Sequence, residues 1–224
     1  MTITANGVQF DPDKHIYTRE SDGKVLRGIT GIIHEYICPR KYDGIPQSVL
    51  DAAAARGTAI HNAVEQTALG FWCSTPEAIA FWEDFGAVAW LDSETLVTDG
   101  EDYASAIDLT SMDEGDATAF WDIKTTSKID HKYLVWQLSI YAYMWEKMGK
   151  GKVGSLNALW WNRWSGWWKR YAYNRIDTEV VADLLRHAAI GMPWECPIRE
   201  TEYTYKPIFE DGRQAKQRRN VKKC

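Results

Sequence analysis

The sequence predicts an α/β fold, a mixed central β-sheet flanked by helices, and three observations carry that expectation. Short β-prone pieces bounded by turn residues recur along the chain. Between them lie longer stretches whose apolar residues return every three or four positions, as on one face of a helix. The 224 residues, 45% hydrophobic and 25% charged, suffice for one buried core and place the chain among globular rather than disordered or fibrous proteins. We expect a single domain over 1–212 and a basic tail over 213–224.

Taken in order, the pieces GVQF, HIYT and KVLRGIT between Val8 and Ile33 are divided by Asp11-Pro12 and Ser21-Asp22-Gly23. They read as a hairpin or small meander, so 1–33 is expected to form an N-terminal β flap. An alanine-rich helix follows from about Val49 to Leu69, with Ile60, Val64 and Ala68 on one stripe and Gly57, His61 and Glu65 on another. A second helix is expected from Pro76 to Leu91, the proline sitting in its first turn. Three strands come next, around Glu94–Thr98, Tyr103–Ser111 and Ala117–Thr126, the last two joined by Asp113-Glu114-Gly115-Asp116. A helix over Lys132–Lys147 repeats Leu134, Leu138, Tyr141 and Trp145, and stops at Gly149 to Gly151. Strands over Ser155–Trp164 and Trp167–Asn174 turn at Ser165-Gly166, and a helix over Thr178–Ile190 follows.

No apolar run approaches the roughly 20 residues that span a bilayer, and MTITANGVQF lacks the apolar segment of a signal peptide, so a cytoplasmic protein without a membrane partner is expected. Cys38, Cys73, Cys196 and Cys224 lie far apart and read as free thiols rather than a zinc or iron–sulfur set. The net charge of −5 hides an uneven distribution. Arg213, Lys216, Arg218, Arg219, Lys222 and Lys223 crowd the tail without an acid, as a phosphate-binding or simply solvated end would.

The chemistry-bearing pattern is Ala119-Phe-Trp-Asp-Ile-Lys124, where a strand points Asp122 and Lys124 to one face. Asp108, in Ala104-Ser-Ala-Ile-Asp-Leu109, sits on the preceding strand, and the short turn between them makes antiparallel pairing the natural arrangement. Two carboxylates could then share one hard divalent cation, which neutralises phosphate charge and lowers the pKa of bound water. Beside them Lys124 could position or deprotonate the attacking water and stabilise charge on the phosphoryl oxygens. By itself D-x-K is a weak motif, which an exposed strand face with a cross-strand ion pair explains better. The order of signals argues further: Gly57-x-x-x-His61, Asp108, Asp122-x-Lys124, then Gln137-x-x-x-Tyr141 on a helix. Glu65, one turn beyond His61, is a candidate for a second metal or for orienting His61. Thr125, Thr126, Ser127, Lys128 and Lys132 could contact phosphates where the strand exits.

Read together, G-T-A-I-H, A-S-A-I-D-L, W-D-I-K-T-T and Q-L-S-I-Y resemble the motifs of the PD-(D/E)XK nuclease superfamily, in its RecB-like and phage exonuclease branch, over about Arg56 to Tyr141. The resemblance implies a restriction-endonuclease-like core and a deoxyribonuclease, an exonuclease of recombination, repair or phage DNA processing. It further implies that His61, Asp108, Asp122 and the carbonyl of Ile123 bind Mg²⁺ or Mn²⁺, that Lys124 is catalytic, and that Gln137 and Tyr141 orient site and substrate. Glu94 stands where relatives often carry a glutamate, and a solvated strand end explains it as well. The implied partners are DNA and, as a lesser candidate, a recombination or single-strand-annealing protein. Ala104 replaces a frequent glycine, and the missing cysteine cluster argues against an iron–sulfur centre.

Trp160-Trp-Asn-Arg-Trp-Ser-Gly-Trp-Trp-Lys-Arg170 interleaves aromatics with bases, as either a base-stacking platform or a packed hairpin would, leaving Arg163, Lys169 or Arg170 to reach phosphate. Two alternatives stand beside the nuclease: a catalytically silent nuclease-fold module that binds DNA, and a zinc hydrolase, which lacks a second histidine at helical spacing.

Overall fold

The computed structural model describes residues 3–12 and 14–208. The basic tail expected over 213–224 lies outside them.

Four short strands open the chain: β1 (Ile3–Ala5), β2 (Val8–Asp11), β3 (Ile16–Arg19) and β4 (Val25–Gly28), paired in sequence as an antiparallel meander. Val8, Phe10, Tyr17 and Leu26 bury one face of it, with Phe10 stacked on Tyr17 at 4.5 Å. The flap does not reach Ile33 as a β element, however. After Gly28 the chain turns into helix α1 (Ile29–Ile32) and a π-helical turn (Ile33–Ile37), closed by the bond from the Cys38 N–H to the Ile33 carbonyl. Ile29, Ile32, Ile33 and Ile37 follow a helical spacing and are all buried in the main core, which overrides the β preference of isoleucine.

Helix α2 (Gln47–Ala68) spans 22 residues, but only its second half is packed, through Ile60, Val64 and Thr67. Helix α3 (Pro76–Phe85) starts at a Thr75 side-chain cap and stops six residues before the expected Leu91. The indole of Trp90 donates to the Phe85 carbonyl at 3.2 Å, satisfying a helix-end acceptor. Trp90 itself already pairs with Ser111 as the first residue of β5 (Trp90–Thr98).

Strand β6 (Tyr103–Met112) runs antiparallel to β5 along one edge and to β7 (Thr118–Lys124) along the other. Between β6 and β7, Asp113 binds the turn together: its Oδ1 accepts from the Glu114 N–H, and its Oδ2 from both the N–H and the hydroxyl of Ser155, each at 2.6 Å. Helix α4 (His131–Lys147) then crosses to β8 (Val153–Asn162), which lies parallel to β7; β9 (Trp167–Tyr173) returns antiparallel. Helix α5 (Thr178–Ala189) and an edge strand β10 (Tyr205–Ile208) complete the described chain. Strand β10 was not expected from the sequence; its Pro207 is tolerated because the strand has a partner on one side only.

The result is one α/β domain with a ten-stranded mixed sheet and five helices. Helices α1, α4 and α5 cover one face over Phe120, Leu156 and Ala158. Helices α2 and α3 cover the other over Trp121, Ile123, Trp161 and Trp168. Among the described residues no helix is long and apolar enough to cross a membrane.

One irregularity positions the site. Strand β4 pairs with β6 only at Tyr103 and Ala104, in parallel, while β7 pairs with β6 only from Leu109 to Met112. Because β5 occupies the other edge of β6 throughout, residues 105–108 form a gap between β4 and β7.

Candidate active site

Asp108 stands at the mouth of this gap, one residue short of the last Leu109–Trp121 rung. Its Oδ2 accepts the backbone N–H of Ile123 at 2.6 Å and lies 3.6 Å from Nδ1 of His61. Asp122 is fully buried, and its Oδ2 sits 2.6 Å from Nζ of Lys124. The alternation of β7 explains that pair: Trp121 and Ile123 enter the core beneath α2 and α3, so Asp122 and Lys124 turn together toward the α4 side. From α4, Gln137 donates through Nε2 to the Tyr141 hydroxyl at 2.8 Å, and that hydroxyl lies beside Ser105 inside the gap.

His61 reaches the site from α2 with its ring against the backbone of Ile123. Gly57, one turn earlier, lies close to the sheet: a Cβ there would stand 3.3 Å from the Thr125 hydroxyl. Burial and the nearby Lys124 ammonium lower the His61 pKa to about 4, so the imidazole is neutral and one ring nitrogen carries a lone pair that can ligate. Burial also raises Asp108, and it lifts Asp122 to about 6 although Lys124 opposes it. Lys124 is raised and stays protonated, because Asp122 and Asp108 outweigh its own desolvation.

Glu65 and Glu94 form a second carboxyl pair beside Asp108. Both are raised, by burial first: the charges of Glu94 and Asp108 then add to the rise of Glu65, whereas Asp108 adds to that of Glu94 and a hydrogen bond with Glu65 opposes it, so they behave as a pair that keeps a proton at neutral pH. Glu94 is no solvated strand end. It is half-buried in the middle of β5 with φ +49°, a left-handed conformation that a glutamate seldom adopts and that marks strain at this position. Tyr17 of the flap lies beside Ser105, Glu94 and Asp108 and helps fill the gap.

The phosphate-contact candidates divide. Thr126, Lys128 and Arg163 line a cleft beyond Lys124, and Thr125 packs under Gly57. Lys132 is elsewhere, held by Glu200 at 2.6 Å. In the tryptophan hairpin Trp161 and Trp168 are core, whereas Trp160 stays part-exposed with its indole on the Thr126 carbonyl. Arg170 turns inward over Trp121 and bonds Asn157, and Lys169 lies over Trp160. Lys41, Tyr42 and Arg56 also belong to the cleft. Arg56 adjoins the Gly57 motif and could have been suspected from it, whereas nothing local to Lys41 or Tyr42 signals their place.

No three His, Cys, Asp or Glu side chains among the described residues already stand as a cage. Lys124 occupies Asp122, the Ile123 amide occupies Asp108, and the two carboxyls lie within electrostatic range of each other. Yet, Lys124 apart, neither buried oxygen of Asp122 has a hydrogen-bond donor among the described residues, and Oε1 of Glu65 has none. Several buried carboxyls around one ammonium, beside a neutral imidazole and a peptide carbonyl, are a hard donor set short of positive charge. They fit Mg²⁺ or Mn²⁺. No protein-family model matches the chain, and no curated protein matches it.

Proposed function

We propose that this protein is a divalent-metal-dependent nuclease that hydrolyses DNA phosphodiester bonds, in keeping with an exonuclease of recombination, repair or phage DNA processing. The observation that carries this reading is the convergence of His61, Asp108, Asp122, Lys124 and the Gln137–Tyr141 pair at one gap in the sheet, where the carboxylates have too little counter-charge. His61, Asp108, Asp122 and the Ile123 carbonyl would hold Mg²⁺ or Mn²⁺. When bound, such an ion neutralises phosphate charge and acidifies a water.

The chain's own residues supply the rest. Lys124, protonated and only part-buried, is suited to hold the attacking water and to offset charge building on the phosphoryl oxygens, a role for its positive charge rather than for a free amine. The Ile123 amide fixes Asp108, and the backbone of Ile123 fixes the His61 ring, so both donors are pre-oriented by one peptide. Gln137 and Tyr141 close the floor from α4.

One observation favours a second reading, a binding module that holds DNA without cutting: Lys124 already compensates Asp122 directly. End-labelled linear and closed circular DNA, each with Mg²⁺, Mn²⁺ or EDTA, separate the two for wild type and Lys124→Ala. Metal-dependent loss of linear DNA alone, absent in the variant, supports an exonuclease. Cutting of circles indicates an endonuclease, and no cutting under any condition leaves the binding module.

A further inference from the structure

The first half of α2 is a wall with almost nothing behind it. Residues 47–56 are exposed except Leu50, which is only part-buried, although an isolated segment of this length is marginal as a helix in water. This overhang, the turn Lys41–Ile45 and the loop Thr126–His131 enclose a cleft of about 810 Å³. The cleft leads away from the catalytic lysine: Lys124 is followed by Thr125 and Thr126, and Lys41 and Tyr42 lie within electrostatic range of its ammonium.

Two properties of the lining stand out. Four cations, Lys41, Arg56, Lys128 and Arg163, face a single acid, Asp130, in a protein whose net charge is −5. Asp130 is spent on Lys41 at 3.1 Å, and Lys41 also lies 3.3 Å over the Tyr133 ring. Arg56, Lys128 and Arg163 are exposed and make no ion pair among the described residues. Between these charges the wall is apolar, with Tyr42, Ile45 and Val49 at 43%, 40% and 55% exposure, and the indole of Trp164, 82% exposed, stands beside Arg163 at the rim.

We propose that this cleft is the subsite for an unpaired DNA strand entering or leaving the catalytic centre, with Arg56, Lys128 and Arg163 on phosphates and Tyr42 and Trp164 against bases. The alternation of unpaired cations with apolar and aromatic surface is what a single strand presents in complement, because its bases are free to stack. A duplex offers phosphates but hides its base faces, so Tyr42, Ile45 and Val49 would gain nothing from it. The volume lies within the roughly 300–1,000 Å³ that encloses a small organic ligand, such as a nucleotide or two. The chain's own basic segment from Arg213 to Lys223 has the wrong sign to be the occupant. This inference rests on the nuclease reading only for the direction of the strand.

The test measures binding without turnover, on the full chain in EDTA, by anisotropy of a labelled 20-nucleotide oligothymidylate and of a blunt duplex of equal length. Wild type is expected to bind the single strand at least tenfold more tightly than the duplex. The Arg56→Ala/Lys128→Ala/Arg163→Ala variant, altered only at exposed positions, should lower the slope of log K against log salt by about 2, at roughly 0.7 per phosphate contact. Tyr42→Ala should weaken single-strand binding about tenfold and Tyr42→Phe should retain it. The tail contributes equally to every variant, so the differences isolate the cleft. Equal binding by wild type and triple variant, or a preference for the duplex, overturns the proposal. Cleavage unaffected by all these variants overturns it while leaving the nuclease reading intact. Cleft-dependent strand binding in a protein that never cuts overturns the nuclease reading and upholds the cleft.

Discussion

Replacing Lys124 with methionine keeps the side chain's bulk and removes its charge, and the consequence for stability can be worked from the geometry. Asp122 is 0% exposed, its Oδ2 is 2.6 Å from Lys124 Nζ, and neither of its oxygens has a further donor among the described residues. At that separation two unit charges attract by about 6 kcal/mol in an effective dielectric near 20. Part of this is returned when the ammonium regains water and when Asp122 takes up a proton, so Lys124→Met should cost about 3 kcal/mol at pH 8 in EDTA. Adding Asp122→Asn removes the stranded charge, and the double variant should recover about half of the loss. Urea unfolding of the four proteins of this cycle, with unchanged slopes as the control for two-state behaviour, measures both quantities. A loss under about 1 kcal/mol, the range of exposed ion pairs, or a coupling under about 0.5 kcal/mol, would refute a buried, mutually dependent pair.

The remaining predictions concern charge and packing. Mn²⁺ at about 100 times its dissociation constant should stabilise the wild type by roughly 2.7 kcal/mol, a rise of about 5–10 °C in melting temperature, and Asp108→Asn/Asp122→Asn should abolish it; equal shifts in both proteins would count against the metal site. In EDTA the carboxyls raised by burial, Asp122 to about 6 and the Glu65–Glu94 pair with it, bind protons in the folded state that the unfolded chain has released. These groups should therefore lose stabilisation as pH rises from about 4, where the unfolded carboxyls ionise, to about 9, where the folded pair has done so, and saturating Mn²⁺ should flatten that slope; denaturant titrations at several pH values read it. Gly154→Ala should cost about 2 kcal/mol, because the new methyl would meet the Asp113 carboxylate, whose Cβ lies 2.9 Å from the added carbon, and break its clamp on Ser155. Trp168→Ala should cost about 3–5 kcal/mol by emptying the cluster it shares with Phe81 and Trp161; a loss under 1 kcal/mol in thermal unfolding would show that this hairpin does not secure the sheet.

Most elements of this fold could be read locally, because alternation and three-to-four spacing are properties of neighbouring residues. The antiparallel β6–β7 pair follows from a short turn, and the shared face of Asp122 and Lys124 follows from the strand repeat of two. The spacing of His61 from Gly57, and of Tyr141 from Gln137, likewise follows from helix geometry. Local pattern fails where a group outside the segment decides the outcome. Helix α3 stops at Phe85 because the Trp90 indole takes its last carbonyl and β6 captures the following strand. Ile29–Ile37 coils because a core waits on one side of it, although its residues suit a strand.

The sequence by itself determined which acids, imidazole and lysine exist and on which faces of their elements they stand. Only the tertiary structure decided that β4 and β7 part along β6, opening the gap where Tyr17, Glu65, Glu94 and Asp108 gather from four separate elements. It also decided that Lys132 serves Glu200 while Arg56, Lys128 and Arg163 face one cleft. The reason is physical: face and spacing are set by the backbone repeat over a few residues. The company a side chain keeps is set by which surfaces must be buried together across the whole chain.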